Sequence, residues 1–217
     1  MTREEDIKNA VAVLRKGGVI LYPTDTVWGI GCDATSQEAV RRVYDIKQRD
    51  DSKALICLVD SDARMQRYFR RVPDVAWQLI DSLQAPAAPA ARASRPSTVS
   101  GDSAAGTSAA PSRPTTLILD GAINLAPNLI ADDGSVGIRI TSEPFSKELC
   151  YRFQRALVST SANISGEPAA QNYCDIDPRI VKAVDYVCWT RRQEHKPHQP
   201  SSIIKLRADG EVTIIRK

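Results

Sequence analysis

The sequence contains 217 residues, of which 42% are hydrophobic and 25% are charged, and its formal net charge at pH 7 is +3. This length and composition are typical of a single globular domain with a substantial core. The positive excess is too small to indicate nucleic-acid binding, and it fits a phosphate-bearing small ligand equally well. No stretch approaches the roughly 20 apolar residues that span a membrane, and the acidic N-terminus lacks the apolar core of a secretion signal.

Cysteine and histidine residues give no sign of a disulfide framework or a metal centre. The five cysteines are odd in number and form no Cys-x-x-Cys pair. Scattered reduced thiols fit the cytoplasm, which is the location we expect. His195 and His198 stand in a proline-broken segment without a nearby cysteine. We therefore interpret them as part of a surface loop and predict no metal ligand among the side chains.

The first part of the chain alternates between predicted helices and strands. Thr2 and Glu5 fit a capping box for a helix that ends at Gly17-Gly18. Residues 19–22 form an apolar run without alternation, as in a strand that is covered on both faces. A polar Thr-Asp-Thr trio at residues 24–26 follows after one proline.

The same alternation continues to residue 83. Thr35 and Glu38 fit a second capping box, for a helix whose last turn contains Lys47. Residues 54–59 are predicted to form a strand, and Pro73 is predicted to open a third helix with an apolar inner side.

Residues 85–113 interrupt this alternation. Ala, Ser, Pro, Thr and Gly dominate the segment and aromatic residues are absent, so it has too little apolar surface to fold by burial. It is also too long for an ordinary connection inside a compact domain. We interpret it as a low-complexity insertion in one domain spanning residues 1–217. Two domains joined by this segment as a linker are the alternative.

Two strands are predicted after this segment, at residues 116–119 and 135–140. In the second strand, apolar residues at even positions alternate with Gly137 and Arg139. Arg139 should therefore point away from the apolar set, beside a glycine that leaves room for a ligand. A surface arginine on an edge strand is the alternative interpretation.

Ser142 and Pro144 are predicted to begin another helix, and residues 156–158 a short buried strand. That strand leads into residues 159–166, Ser-Thr-Ser-Ala-Asn-Ile-Ser-Gly, whose small side chains leave the backbone N–H groups accessible. Such a loop can wrap an anion or a sugar closely. An ordinary turn or helix cap is the alternative for an octet of this kind.

The last elements complete the expected fold class. Residues 181–188 are predicted to form a strand after a short helix, and residues 202–206 and 212–216 a hairpin around Asp209-Gly210. Because helices and strands interleave before this antiparallel pair, we predict an α/β fold: a twisted mixed β-sheet with flanking helices.

Polar residues at the ends of these elements indicate a nucleotide site. Lys47, Arg49 and Lys53 alone would fit a solvated charge patch, but together with the loop at residues 159–166 they fit a phosphate site. Neither G-x-x-x-x-G-K-[ST] nor G-x-G-x-x-G occurs in the chain. The predicted nucleotide site is therefore not one of the two standard phosphate loops.

Five motifs occur along the chain in this order: Gly18-Val-Ile-Leu-Tyr-Pro-Thr-Asp-Thr-Val-Trp-Gly-Ile-Gly31, Lys47-Gln-Arg49 with Lys53-Ala-Leu55, Ser135-Val-Gly-Ile-Arg139, Ser159-Thr-Ser-Ala-Asn-Ile-Ser-Gly166 and Pro200-Ser-Ser-Ile-Ile204. Together they resemble the YrdC-like family of threonylcarbamoyl-adenylate synthases, in its short single-domain bacterial form, over nearly the whole chain outside residues 85–113. The resemblance implies a concave twisted sheet around a large basic cavity. It also implies that L-threonine, bicarbonate and ATP give threonylcarbamoyl-AMP and pyrophosphate, the first step of N6-threonylcarbamoyladenosine modification of tRNA.

The resemblance assigns roles to individual residues. The implied catalytic residues are Lys47, Arg49, Ser161 and Asn163. The implied ATP contacts are Arg49, Lys53, Ser135, Ser161, Asn163 and Arg216. The implied L-threonine contacts are Thr26, Arg139, Ser159 and Ser201, with Arg139 pairing with the carboxylate. Catalysis would then rest on positioning and on cationic stabilisation of phosphate charge, with ATP as substrate and Mg²⁺, rather than on a protein nucleophile.

Two other functions stay open at this point. One is a non-enzymatic module that binds double-stranded RNA or tRNA through the basic concavity. The other is a related carbamoyl-adenylating activity, as in hydrogenase-maturation proteins, although no fused acylphosphatase or zinc-finger segment is recognisable. For the synthase, the expected partners are its small substrates, tRNA or double-stranded RNA, and separate proteins that transfer the threonylcarbamoyl group. No membrane partner is expected.

Overall fold

The computed structural model of the protein describes residues 1–48, 55–84, 114–195, 200–207 and 209–216. Its helices are α1 (Arg3–Arg15), α2 (Gln37–Lys47), α3 (Asp62–Gln66), α4 (Asp74–Gln84), α5 (Pro144–Phe153) and α6 (Pro178–Ala183). Its strands are β1 (Ile20–Tyr22), β2 (Gly29–Gly31), β3 (Ile56–Val59), β4 (Thr115–Leu119), β5 (Val136–Ile140), β6 (Leu157–Ser161), β7 (Tyr186–Val187), β8 (Ser202–Leu206) and β9 (Val212–Arg216). Within these ranges, no helix has the length and apolar character needed to cross a membrane.

The strands form one mixed sheet in the order β7-β1-β2-β6-β3-β5-β4-β8-β9. The pairs β1 with β7, β3 with β5 and β4 with β8 are parallel, and the other neighbours are antiparallel. Helices α1 and α5 pack against each other beside this sheet. The predicted α/β fold with a mixed sheet and flanking helices is therefore confirmed.

Helix α1 forms as the sequence predicts. Thr2 Oγ1 accepts the backbone N–H of Glu5, and the Glu5 carboxylate accepts the backbone N–H of Thr2, which completes the capping box. Gly17 follows the helix with φ +77°, a conformation that favours glycine. The inner face of α1 also buries a carboxylate, Asp6, that the apolar pattern does not reveal.

Helix α2 has a different N-cap from the predicted one. Ser36 is the N-cap, and its Oγ accepts the N–H of Ala39 at 3.2 Å. Thr35 instead donates its hydroxyl to Asp33 Oδ1 at 2.7 Å. The predicted box of Thr35 with Glu38 is therefore wrong. Both candidate caps carry hydroxyl groups, so the local pattern alone could not separate them.

Other elements also differ from the prediction. Strand β2 and helix α3 lie outside the predicted elements. The strand predicted at residues 181–188 has only two residues, because residues 181–183 belong to α6. The first three residues of the predicted loop at 159–166 continue β6. Glycine is disfavoured in strands, so β2 depends on its pairing with β1 and β6 on either side.

Strand β5 lies in the middle of the sheet, between β3 and β4. Its alternation is as predicted, since Val136 and Ile138 are core residues and Arg139 points elsewhere, although only 3% of the Arg139 surface is exposed. The alternative of a surface arginine on an edge strand is therefore wrong. Gly137 allows a close strand contact, because a Cβ there would lie 2.9 Å from Ile56 Cγ2.

The predicted insertion at residues 85–113 lies outside the described residues, so the single domain with that insertion stays a prediction. The described residues resume at Pro114. Pro114 O accepts the N–H of Ser202 at 2.9 Å, and β4 then runs in register with β8 from Thr115 opposite Ser202. The predicted hairpin of β8 and β9 is confirmed.

The five cysteines are free thiols, as the sequence predicts. Four of them are buried, and Cys174 is exposed. Burial raises the pKa of the Cys57 thiol to about 12. Of the two histidines, His195 is exposed, while His198 lies outside the described residues.

Candidate active site

A cavity of about 410 Å³ is lined by residues from β2, β3, β5, β6 and β9. Six of the residues predicted to bind ligands line it: Thr26, Arg139, Ser159, Ser161, Ser201 and Arg216. The fold thus brings the four predicted L-threonine residues together with two of the predicted ATP residues. These residues come from distant parts of the chain, so their meeting is a property of the fold rather than of any one motif.

Arg139 is a buried cation in the wall of this cavity. Its Nη2 lies 2.9 Å from Asp25 Oδ1, and the two side chains are only 3% and 7% exposed. Its Nη1 makes a long contact of 3.5 Å with Thr116 Oγ1, and its Nε has no hydrogen-bond partner among the described residues. A buried charged N–H without an acceptor is costly. The arrangement is therefore suited to an anionic ligand that supplies the acceptor.

The Thr24–Thr26 turn, residues 24 to 26, orients two of these groups. Thr24 Oγ1 lies 2.6 Å from Val27 O, to which it donates, and it accepts the N–H of Thr26 at 3.1 Å. These contacts direct Asp25 to Arg139 and leave Thr26 in the cavity wall. Burial raises the pKa of Asp25, and the positive charge of Arg139 opposes that rise.

Buried hydroxyl groups connect Arg139 with the C-terminal hairpin. Thr116 Oγ1 on β4 lies 3.1 Å from Ser201 Oγ. Arg216 donates from Nε to Ser201 O at 2.8 Å and from Nη2 to Ser201 Oγ at 3.2 Å. The pairing of β4 with β8, and of β8 with β9, sets this spacing. The cavity therefore holds two arginines that are linked through two buried hydroxyls.

Strand β6 contributes the serine side of the cavity. Ser159 and Ser161 are two residues apart on this strand, so both side chains point to the same face. Ser159 packs close to Gly29 of β2, where an added Cβ would lie 3.4 Å from Ser159 Oγ and 3.1 Å from Thr24 Cγ2. A glycine at this position keeps the three elements close together.

Lys47 and Asn163 shape the loop after β6. Lys47 is 1% exposed, and its Nζ donates to Ser161 O at 2.5 Å and Asn163 O at 2.7 Å. The Asn163 amide accepts the Ser161 hydroxyl at 2.5 Å and donates to Ile164 O at 3.0 Å and Glu167 O at 2.6 Å. The buried ammonium group of Lys47 thus fixes two carbonyl groups of the loop backbone, and the Asn163 side chain adds hydrogen bonds within the loop.

A second cavity of about 540 Å³ adjoins the first, and both are lined by Leu55 and Ile56. Most of its remaining wall is apolar and includes Tyr44, Ile118, Leu129, Gly137, Ile203 and Ile215. Its polar corner contains Ser135, whose hydroxyl donates to Asp133 Oδ1 at 2.6 Å. Lys205 Nζ lies 2.6 Å from Asp133 Oδ2, and these contacts lower the pKa of Asp133.

Two predicted site residues cannot be placed in this geometry, and two residues of the site were not predicted. Arg49 and Lys53 lie outside the described residues. Asp25 and Thr116 touch Arg139, but neither stood among the predicted site residues. A polar residue after a buried strand was the only local signal for Asp25. In the part of the chain that is described, no group of three or more His, Cys, Asp or Glu side chains could hold a metal ion.

Sequence comparisons agree on one family. The family model Sua5_yciO_yrdC, described as "Telomere recombination", matches residues 12–107 and 98–217. A protein named threonylcarbamoyl-AMP synthase from Stenotrophomonas maltophilia (strain K279a) is 32% identical over 185 residues, which cover 84% of this chain and 85% of that protein. A protein with the same name from Xanthomonas axonopodis pv. citri (strain 306) is 34% identical over 188 residues, covering 86% and 87%.

Solved structures share the fold. E. coli YciO superposes with a TM-score of 0.74 at 23% identity, covering 100% of this chain and 90% of that chain. P. abyssi Sua5 in complex with L-threonine gives a TM-score of 0.72 at 19% identity. This match covers 95% of the present chain but only 52% of Sua5, so the chain spans about half of that protein. The family model and the curated relatives together show that the chain belongs to the Sua5/YrdC family.

Proposed function

We propose that this protein catalyses the threonylcarbamoyl-AMP synthase reaction. L-Threonine, bicarbonate and ATP would give threonylcarbamoyl-AMP, pyrophosphate and water, and the product would supply the N6-threonylcarbamoyl group of tRNA. The observation that carries the proposal is the buried Arg139, whose Nε has no acceptor among the described residues, in a cavity that six hydroxyl-bearing residues and a second arginine also line. The curated relatives bear the name of this activity.

The first cavity would bind L-threonine. Its carboxylate would accept from Arg139, because a guanidinium matches a carboxylate in shape and charge. Thr26, Ser159 and Ser201 lie in the same wall and can exchange hydrogen bonds with the amino and hydroxyl groups. The P. abyssi Sua5 structure was solved as a complex with L-threonine, and its fold is shared.

The second cavity would bind the adenosine part of ATP. Its apolar walls suit a flat heterocycle, and Ser135 offers a polar group for the sugar or phosphates. The cavities meet at Leu55 and Ile56, so a nucleotide there would direct its phosphates to the threonine cavity. Arg216 would contact the phosphates from β9, together with Arg49 and Lys53.

The chemistry needs positioning more than a protein nucleophile. The threonine amine attacks the bicarbonate carbon, and loss of water gives a carbamate. A carbamate oxygen then attacks the α-phosphorus, and the bond to the pyrophosphate oxygen breaks. Negative charge grows on phosphate oxygens during this step, so fixed cations such as Arg49, Lys53 and Arg216 lower its barrier. We expect Mg²⁺ to enter bound to the ATP phosphates and assign it no protein ligand.

The loop after β6 would complete the reaction site. Lys47 and Asn163 hold its backbone and side chains in place, which leaves Ser161 in the cavity wall. We therefore assign Ser161 a direct contact with ATP, and Lys47 and Asn163 the task of positioning the loop around the α-phosphate. A loop that is fixed before the substrate binds needs little rearrangement during the reaction.

Threonine-dependent release of pyrophosphate tests the proposal. The folded protein is incubated with ATP, Mg²⁺, bicarbonate and L-threonine, and the nucleotide product is identified by mass spectrometry. We expect pyrophosphate and threonylcarbamoyl-AMP in equal amounts, and neither when L-threonine is omitted. Folded protein without this turnover would refute the synthase function. Salt-dependent binding of double-stranded RNA by such inactive protein would instead favour the RNA-binding alternative.

A further inference from the structure

The Thr24–Thr26 turn borders two cavities. Thr24 and Thr26 line the 410 Å³ cavity, and Thr24 and Asp25 line another cavity of about 470 Å³. Thr24 and Thr26 are nevertheless buried, with 2% and 8% of their surfaces exposed, and hydrogen bonds of Thr24 Oγ1 hold part of the turn's shape. Polar contacts from outside the turn can add to these and fix the positions of the residues that face the substrate.

Arg191 supplies such a contact. Its Nη1 donates to Thr24 O at 3.0 Å. The same guanidinium pairs with Glu143 at 3.3 Å and with Glu194 at 2.8 Å, and its side chain is 18% exposed. Thr24 is thus held by a cation that two carboxylates hold in turn. Arg191 lines the 470 Å³ cavity and is not among the residues that line the proposed threonine cavity.

The backbone of Arg191 is also constrained. Its φ is +66°, in the left-handed region that side-chain-bearing residues rarely adopt. Such a conformation persists when the surroundings determine it strongly. Here the preceding residues are fixed by Asp6, which is 0% exposed and accepts the N–H groups of Trp189 and Thr190 and the Thr190 hydroxyl.

We infer that Arg191 is a positioning residue for the L-threonine site. It fixes the Thr24 carbonyl and thereby sets the places of the Thr26 hydroxyl and of Asp25, which holds Arg139. The inference rests on the proposed function for its substrate, but its claim about the turn can be tested without turnover. Loss of the Arg191 contact weakens threonine binding and leaves the nucleotide cavity unaffected.

Three variants separate this role from general destabilisation. Arg191→Gln removes the charge and the contact, and Arg191→Lys keeps a cation that can still reach a carbonyl oxygen. Arg152→Gln is the matched control, because Arg152 also pairs with two glutamates, Glu4 and Glu148, and makes no contact with the turn. All three remove an arginine from an ion-pair cluster.

The first measurement is steady-state kinetics. We expect Arg191→Gln to raise KM for L-threonine about 10-fold, the scale of one lost charged hydrogen bond. KM for ATP should change by less than about twofold, since the turn does not line the 540 Å³ cavity. Arg191→Lys should recover part of the loss, and Arg152→Gln should match the unmodified protein. Equal changes in both KM values would contradict a positioning role at the threonine site.

The second measurement is amide hydrogen exchange in the free protein. Exchange of the Thr26 amide and its neighbours in the turn should become faster in Arg191→Gln and stay unchanged in Arg152→Gln. Unchanged exchange in folded Arg191→Gln would overturn the inference, whatever the enzyme does. Absence of threonine turnover in the unmodified protein would refute the proposed function alone, and the exchange experiment would still decide the inference. If Arg191→Gln fails to fold, Arg191→Lys decides the inference: a smaller increase in exchange that is confined to the turn supports it, and an equal increase throughout the protein overturns it.

Discussion

The ion pair of Arg139 and Asp25 allows a sharp test of the threonine site. Arg139→Gln removes a cation of which only 3% is exposed. The carboxylate of Asp25 then loses the positive charge that compensates its own. The matched variant is Asp25→Asn/Arg139→Gln, which replaces the pair with two neutral amide side chains of similar size. If Arg139 both stabilises the fold and binds threonine, the two variants will differ in stability but not in threonine affinity.

The burial of the ion pair determines the expected size of the changes in stability and in threonine affinity. Removing one partner of a buried ion pair costs about 3–5 kcal/mol, because the remaining charge is left without compensation. For a domain of this size that corresponds to a loss in Tm on the order of 10 °C. The double variant should regain most of this. Loss of a guanidinium–carboxylate contact with the ligand costs about 2–5 kcal/mol, so KM for L-threonine should rise at least about 30-fold in both variants.

The stability deficit of Arg139→Gln should also depend on pH. Burial already raises the pKa of Asp25 in the native protein, and loss of Arg139 removes an effect that lowers it. A carboxyl group whose pKa is higher in the folded state binds protons preferentially in that state, so lowering the pH stabilises the fold. The difference in Tm from the unmodified protein should therefore shrink as the pH falls toward the ordinary pKa of an aspartate.

Thermal unfolding and threonine-dependent pyrophosphate release measure these quantities. Recovery of both Tm and threonine KM in the double variant would show that Arg139 acts on binding only through the fold. A normal threonine KM in both variants would refute the assignment of Arg139 to the carboxylate.

Four further predictions concern other parts of the molecule. Arg49→Ala and Lys53→Ala should each lower kcat at least about 100-fold, as for loss of one transition-state contact; unchanged turnover would make them surface charges. Thr116→Val removes the hydroxyl beside Arg139 but keeps the shape, so threonine KM should rise several-fold with little change in Tm. The pKa of Asp6 is lowered in the folded protein, because its burial is outweighed by hydrogen bonds from Thr190, Trp189 and Tyr186. The ionised carboxylate therefore stabilises the fold above its unfolded pKa, and this stabilisation is lost as the pH falls through its folded pKa. Asp6→Asn should make Tm depend less on pH in the acidic range. Deletion of residues 85–113 with a short Gly/Ser connection should leave Tm nearly unchanged, and a collapse would contradict an insertion.

Local sequence patterns were sufficient where one element alone determines the outcome. The alternation in β5 correctly predicted that Arg139 points away from the apolar residues of the strand, because successive side chains on a strand point to opposite faces. The capping box of α1 was equally local, since Thr2 and Glu5 contact each other within one turn. The fixed order of the five motifs then led to the family, which the comparisons confirm.

Sequence reasoning failed where the tertiary fold decides the structure. Strand β2 consists of Gly29, Ile30 and Gly31, a poor strand by propensity. It forms because Gly31 lets Tyr22 pack closely: a Cβ there would lie 2.6 Å from the Tyr22 ring. The contact of Arg191 with Thr24 joins residues far apart in the chain, and no local pattern could reveal it.

The distribution of the thiols has a practical consequence for ligand-binding experiments. A thiol reacts with maleimides and related reagents as the thiolate, and burial raises the pKa of Cys57 to about 12. Cys174, by contrast, is exposed and lies three residues after Gln171, which lines the 410 Å³ cavity. We therefore expect a fluorophore to attach selectively at Cys174 without any substitution, and a change in its emission on adding L-threonine would report occupation of the cavity that Gln171 lines.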